Sequence, residues 1–412
     1  MKLCLLTPRF PFPENGGDVL RINSIARYLK AKGNELILIS FCFGEIKLKK
    51  EYFDLYDTIY VVKKHRISSY LFALLFAFVK KPIQCGYYFS FGFLRQFRRT
   101  LKNERPDMCV SHLLRMVPYL EKTHSKKKSI VEMTDALSKT YSLSSSSNQK
   151  SFKKIVYKFE LSLIKRYEKH VIKTFPKIVL VSEKDIDYLK NSVNLPCQNV
   201  FCHTNGVDVL SAIPKSYSKN KICFIGNMRT LQNQDAVFYF VDEIFPLVKK
   251  GNPLAEFYVV GAEPPEKIKN LADGKSVFVT GFVENLEDEI SDSCVTVAPV
   301  RIAAGIQNKV LVAMGCGVPV IMTSLISKAI PELKNNENCI IEDTSGKTAE
   351  AILEMMNNPQ LREKLSLRGY ETVKQNYSWN KKLEGYESLP SINGGGKSRV
   401  KFCVSPKIWR YA

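Results

Sequence analysis

The densest run of chemistry-bearing residues in this 412-residue chain is 297–309 (VAPVRIAAGIQNK), followed at once by the apolar stretch 310–320. A strand ending at Pro299, a turn at Gly305 and Ile306, and a helix opening on Gln307, Asn308 and Lys309 would aim backbone N–H groups and one ammonium at a common point. That is the chemistry of an anion site. The alternative is an ordinary loop capped by Asn308. The segment 226–229 (GNMR) also follows an apolar run: Gly226 permits a close backbone approach, and Arg229 either forks onto a pyrophosphate or sits in solvent. Gly16 and Gly17 either let a backbone approach a phosphate or sugar, or make a tight turn; the pattern is not GxGxxG. His112 closes the apolar stretch 107–112 (DMCVSH) and would project from the carboxyl end of a strand. His65, His124, His170 and His203 have no partner at ligand spacing, so no metal site is expected. Asp135, after Thr134, closes another strand, where it accepts a substrate hydroxyl or makes a turn.

Alternating strands and helices would hold these residues. Residues 2–7, 35–42, 58–62, 108–111, 129–133 and 178–181 read as strands of a parallel sheet, with a helix after the Gly16-Gly17 loop and a long amphipathic helix over 152–175. The Ser-rich stretch 140–151 reads as a mobile surface loop. A polar linker at 214–220 precedes a second series: strands 221–226, 256–260, 276–280, 295–299 and 319–322, with helices near 236–248, from Pro265 and over 308–314. In open parallel sheets, ligands bind beyond the carboxyl ends of the strands, which is where the candidate residues fall.

Composition bounds the reading. The chain is 45% hydrophobic and 25% charged, as in a folded protein of two or three domains, and eleven Cys without a C-x-x-C pair read as buried thiols in a reducing compartment. The net charge of +21 is uneven: residues 1–200 hold 36 Lys+Arg against 17 Asp+Glu, residues 201–412 hold 25 against 23. A basic half points to an anionic partner such as a lipid surface or lipid pyrophosphate, or to a solvated basic surface. Nucleic acid is disfavoured, because no recognition module accompanies the charge. No signal peptide is recognisable, and the longest uncharged apolar stretch, 68–79, is too short to cross a bilayer, so a cytoplasmic protein, peripheral on the inner face of the plasma membrane, is expected. That stretch, flanked by lysine pairs, either lies on lipid headgroups or is a core helix.

The segments 6–13 (LTPRFPFP) with Gly16-Gly17, 181–183 (VSE), 205–208 (NGVD), 224–228 (FIGNM), 259–261 (VVG), 279–283 (VTGFV), 305–311 (GIQNKVL) and 313–320 (AMGCGVPV) resemble, in order and spacing, the GT-B glycosyltransferases of family 4, in particular exopolysaccharide-type sugar transferases. The resemblance implies an α/β fold of two Rossmann-like domains facing across a central cleft. An acceptor-binding domain would span 1–205 and a nucleotide-sugar-binding domain 217–378, with 379–412 a helix and tail that returns toward the first domain or is disordered. It implies anomeric retention with neither metal nor cofactor, the donor being a nucleoside-diphosphate sugar and the acceptor lipid-linked or a polysaccharide.

By residue, the resemblance implies that His112 lies near the transferred sugar and that Arg229 and Lys309 neutralise the diphosphate. Gly17, Gly226, Gly305, Ile306, Gln307, Asn308 and Val312 would line the donor, with backbone near Val283 facing the base and Asn205 in the cleft. Gly16 and Asp135 would serve the acceptor. One departure stands out: the family's two glutamates fall at Ala304 and Val312. Either a neighbour, Glu284 or Glu287, compensates, or the donor site is impaired and the chain is a non-catalytic scaffold of a polysaccharide assembly complex. A sugar-nucleotide epimerase of the same fold is a further alternative.

Overall fold

Short, continuously apolar runs make strands buried on both faces, and here they assemble into two parallel sheets. A computed structural model describes residues 1–388 apart from 15, 45, 124–125, 146–150, 195, 215 and 303–306. One sheet contains β1 (Lys2–Thr7), β2 (Glu35–Cys42), β3 (Thr58–Lys63), β4 (Met108–His112), β5 (Ser129–Thr134), β6 (Ile178–Leu180) and β7 (Val200–Cys202), in the order β3-β2-β1-β4-β5-β6-β7. The other contains β8 (Ser218–Ile225), β9 (Glu256–Val260), β10 (Val277–Gly281), β11 (Ser293–Ala298), β12 (Val320–Met322) and β13 (Ile340–Ile341), in the order β10-β9-β8-β11-β12-β13. The chain divides into an N-terminal unit, Met1–His203 with the segment from Gly385 on, and a C-terminal unit, Thr204–Glu384.

In each sheet the chain starts in the middle, builds outward to one side, then returns to build the other. The reversal falls between β1 and β4 in the first sheet and between β8 and β11 in the second. At such a point the loops leaving two neighbouring strands diverge to opposite faces and open a crevice at the carboxyl edge.

The helices that matter for the sites are α1 (Gly17–Ala31), α2 (Arg66–Phe78), α3 (Ile83–Tyr87), α4 (Phe91–Asn103) and α5 (Ser151–Thr174) in the N-terminal unit. In the C-terminal unit they are α6 (Leu231–Tyr239), α7 (Leu286–Ile290), α8 (Asn308–Gly315) and α9 (Pro359–Asn376). Tyr386 returns the chain to the N-terminal unit: its hydroxyl donates to Glu132 at 3.1 Å, and Glu132 pairs with Arg21 of α1 at 2.9 Å, both side chains fully buried. A buried pair of this kind tolerates desolvation only when further hydrogen bonds satisfy it, as the Tyr386 hydroxyl does. In the C-terminal unit Arg362 of α9 donates to the carbonyls of Ser293 and Cys294 and stacks 3.4 Å from the Tyr217 ring centroid, clamping the helix to β11.

Three segments differ from the sequence reading. β8 begins at Ser218 rather than 221, because a parallel ladder is built from backbone and admits the polar Ser218, Lys219 and Asn220 that read as linker. Residues 140–145 of the supposed Ser-rich loop are helical, within Leu137–Ser145, and Tyr141 packs edge-on to Tyr157 of α5, which offsets the weak helix propensity of serine. Residues 68–78 form most of α2, which packs Phe72 and Phe76 against the core but turns Tyr70, Leu71, Leu74, Leu75 and Phe78 to solvent, so it is not an enclosed core helix. All ten described cysteines are free thiols, and all but Cys202 are buried. Among the described residues no helix is long and apolar enough to cross a membrane.

Candidate functional site

Each unit has its own cluster at the switch point of its sheet. In the N-terminal unit, β1 runs out at Thr7 and the chain loops to Gly16, the N-cap of α1, at φ 120°. A side chain at that φ is strained, and a Cβ there would meet the Arg9 guanidinium at 2.7 Å. Arg9 reaches across Gly16 to Asp18 in a two-pronged ion pair, one arm at 2.8 Å. Burial works to raise the Asp18 carboxyl, and Arg9 overcomes it, leaving the group below the ordinary carboxylate range. Gly17 opens α1 with open space around it.

His112 ends β4 beside this loop and is buried. Burial pushes its imidazole down to about 3, against an opposing pull from Asp18, so it is neutral at physiological pH. No side chain bonds either ring nitrogen among the described residues, and the Asp18 backbone lies beside the ring. Gly16, Gly17 and His112 therefore come together. Asp135 is exposed; its N–H donates to Met133 at 2.9 Å in a turn where Thr134 has φ 68°, so its backbone serves the turn reading.

In the C-terminal unit, the turn after β8 is pinned from two sides. Gly226 and Met228 donate backbone N–H bonds to Val260, the last residue of β9, and to Ala262 just beyond it, while Asn233 and Gln234 of α6 donate to the carbonyls of Asn227 and Met228. A Cβ at Gly226 would lie 2.6 Å from Asn233, and one at Gly261 (φ 147°) would lie 1.9 Å from the Gly226 carbonyl, so both positions exclude side chains. β11 ends next to this turn, and α8 starts at Asn308 with Gln307 as an N-cap that contributes no side-chain cap. Asn308 is exposed and is the first helical residue rather than the cap.

Lys309, in the first turn of α8, brings its ammonium to the Asn233 amide oxygen and 4.6 Å from the Phe224 ring centroid, beside the Gly226 turn. No carboxylate pairs with it among the described residues. Burial pushes its pKa down to about 8 with no compensating charge. The two arginines in this region are already paired: Arg229, 78% exposed, with Glu263 at 3.3 Å, and Arg301 in a two-pronged bond to Asp235 at 2.6 and 3.1 Å over the Tyr239 ring.

Val283 is half-buried after β10, and Val312 half-buried on α8, both packed on the core. Gly305, Ile306 and Ala304 lie outside the described residues. Glu287 is the second residue of α7, and the Asn285 side chain accepts from the N–H groups of Glu287 and Asp288. Partial burial, then Asp208 and Asp288, raise its carboxyl. Burial, then Glu287 and Asp208, push the Cys316 thiol up to about 12; Cys316 is one turn beyond Val312. A carboxylate is thus present close to the α8 face where Val312 lacks one.

Sequence reasoning missed Asn233, which positions both Lys309 and the Gly226 turn. The available signal was an Asn three residues after Thr230 at the start of a helix following a glycine turn. It also missed Asp18, whose partner Arg9 lies in the loop the resemblance singled out.

Residues 219–358 match the sequence model of glycosyl transferases group 1. Across 395 residues the chain is 22% identical to an uncharacterised 44.6 kDa protein in the cps region of Klebsiella pneumoniae, covering 92% of this chain and 97% of that one. Among solved structures, Anabaena HepE in complex with UDP and glucose superposes with a TM-score of 0.58 at 12% identity, over 94% of this chain and 99% of the other. S. aureus TarM in complex with UDP and saccharide ligands gives 0.56 at 13%, over 94% and 99%. The fold is GT-B, and with the matched domain it supports a GT-B glycosyltransferase.

Proposed function

We propose that the protein transfers a sugar from a nucleoside-diphosphate sugar to a lipid-linked or polysaccharide acceptor, with retention at the anomeric carbon and without a metal or cofactor. The observation that carries this reading is the ammonium of Lys309, half-buried at the β8/β11 switch point with no carboxylate partner among the described residues. Cleaving the sugar–phosphate bond develops negative charge on the departing diphosphate while the sugar becomes oxocarbenium-like, and a pre-placed cation at a helix N-terminus stabilises that charge. In this reading Lys309 and the first N–H groups of α8 receive the diphosphate, the backbone of the Gly226 turn approaches it, and the chain near Val283 faces the base. Glu287 accepts hydrogen bonds from the ribose in place of a carboxylate at 312. Arg229, tied to Glu263, plays a lesser part than the resemblance implies.

The Gly16-Gly17 loop and neutral His112 serve the transferred sugar and acceptor, His112 as a hydrogen-bonding group rather than a charged one. The UDP complexes of HepE and TarM favour a nucleotide-sugar donor, and the relative from a cps region favours polysaccharide synthesis. Val312 favours one second reading, a non-catalytic scaffold of the same fold. A calorimetric screen of nucleotide-sugars, followed by a transfer assay with the tightest, separates them. The enzyme reading expects a saturable donor and release of its nucleoside diphosphate on acceptor addition; no nucleotide binding at millimolar concentration would overturn it in favour of the scaffold.

A further inference from the structure

The outer surface of α2 is built the wrong way round for a helix in water. Its buried positions are the small Ser69 and Ala73, while Ile67 (80% exposed), Tyr70, Leu71, Leu74 (66%), Leu75 and Phe78 (89%) form one stripe toward solvent at helical spacing. The helix is firmly seated on its other side. Phe72 packs edge-on to Phe89 and Phe91 at 5.4 and 5.5 Å, Phe76 meets Phe89 at 5.4 Å, and Gly86 of α3 lies so close that a Cβ there would sit 2.3 Å from the Phe72 carbonyl. A contiguous apolar patch on a rigid base marks a docking surface.

The charges around the stripe say what docks there. From Val61 to Asn103 the chain has nine Lys and Arg and no Asp or Glu. Lys64 turns inward onto Tyr87 and Tyr88, and Lys81 pairs with Glu121 at 2.5 Å. Lys63, Arg66 and Lys80 remain exposed at the two ends of α2. Phe91, also exposed, continues the apolar surface to α4, where Arg95, Arg98, Arg99 and Lys102 line the solvent side. A second copy of the chain would bring cations against cations. A bilayer surface rich in anionic lipid accepts both features, the leucines among acyl chains and the cations among phosphates.

We infer that α2 and α4 form a membrane-docking face, with α2 lying in the headgroup plane of an anionic bilayer and its Ile67–Phe78 stripe inserted. At 13 residues, about 20 Å long, the helix is too short to span. The inference does not depend on the donor chemistry.

The test is co-sedimentation of the full chain with vesicles of equimolar phosphatidylglycerol and phosphatidylcholine, and with phosphatidylcholine alone, at low and high salt. The parent protein sediments with the mixed vesicles and far less with the neutral ones, and salt loosens it. Leu74→Glu with Phe78→Glu, and separately Arg95→Glu with Arg99→Glu, each lower the partition at least about tenfold. Because all four positions are exposed, the variants keep the parent's thermal midpoint and UDP binding, which separates loss of docking from loss of fold or of the donor reading. Equal sedimentation of parent and variants, or none of the parent with the anionic vesicles, overturns the inference. So does a parent dimer that Leu74→Glu dissociates without any vesicle binding, since the face then belongs to a second copy.

Discussion

At the switch point of the N-terminal sheet the cation, Arg9, is matched by Asp18; at that of the C-terminal sheet the cation, Lys309, meets the Asn233 amide and the Phe224 ring and no carboxylate among the described residues. An anion arriving at Arg9 must displace a carboxylate, whereas one arriving at Lys309 meets a charge that the protein has desolvated and left unpaired. The contrast runs against net charge. Residues 1–200 are the basic part of the chain, yet their strand-end cluster is internally neutralised, and seven of their exposed cations lie at α2 and α4. Total charge thus reports on the surface a unit shows, and pairing at the strand ends reports on where a diphosphate can bind.

The sharpest way to break this comparison is Lys309→Ala. Losing one charge-assisted bond of about 1.5–3 kcal/mol lowers UDP affinity by about one to two powers of ten, read by calorimetry. Asn233→Asp gives Lys309 the counter-charge that Asp18 gives Arg9 and also removes the amide donor to the Asn227 carbonyl, so the thermal midpoint falls and UDP affinity drops about tenfold; unchanged affinity means the unpaired state of Lys309 is irrelevant. Glu287→Gln costs a further contact of comparable or smaller size, and in this variant UDP and its 2′,3′-dideoxy analogue bind alike, whereas the parent prefers UDP. The smallest change is Asp18→Asn, which uncovers Arg9 and adds weak phosphate binding, by a factor of about three, without altering UDP affinity at Lys309.

Much of this was legible in the sequence because parallel strands announce themselves. Glu35–Cys42 and Glu256–Val260 are continuous apolar runs bounded by polar residues, and they fold as read. Val200–Cys202 and Ile340–Ile341 are too short to show a pattern and owe their pairing to the strands beside them. The stripe on α2 was ambiguous for a different reason: apolar spacing reveals that a helix has two faces, but only the packing of Ser69, Phe72 and Ala73 decides which one is inside. At the sites, His112 and Lys309 could be placed because a strand end and a helix start are local features. Their electrostatic state could not, since Asp18 lies 94 residues from His112 and Asn233 lies 76 residues from Lys309, and only the fold brings each pair together.

The central claim, that the ammonium of Lys309 receives the diphosphate, is tested most directly by the pH dependence of UDP affinity. Burial lowers this lysine to about 8, so above that pH the free protein must take up a proton to bind a diphosphate through it. The parent's affinity should hold steady from neutrality to about pH 8 and then fall by up to about one power of ten per pH unit, while Lys309→Met binds weakly with no such fall. Parent and variant profiles that run parallel across this range would contradict the account.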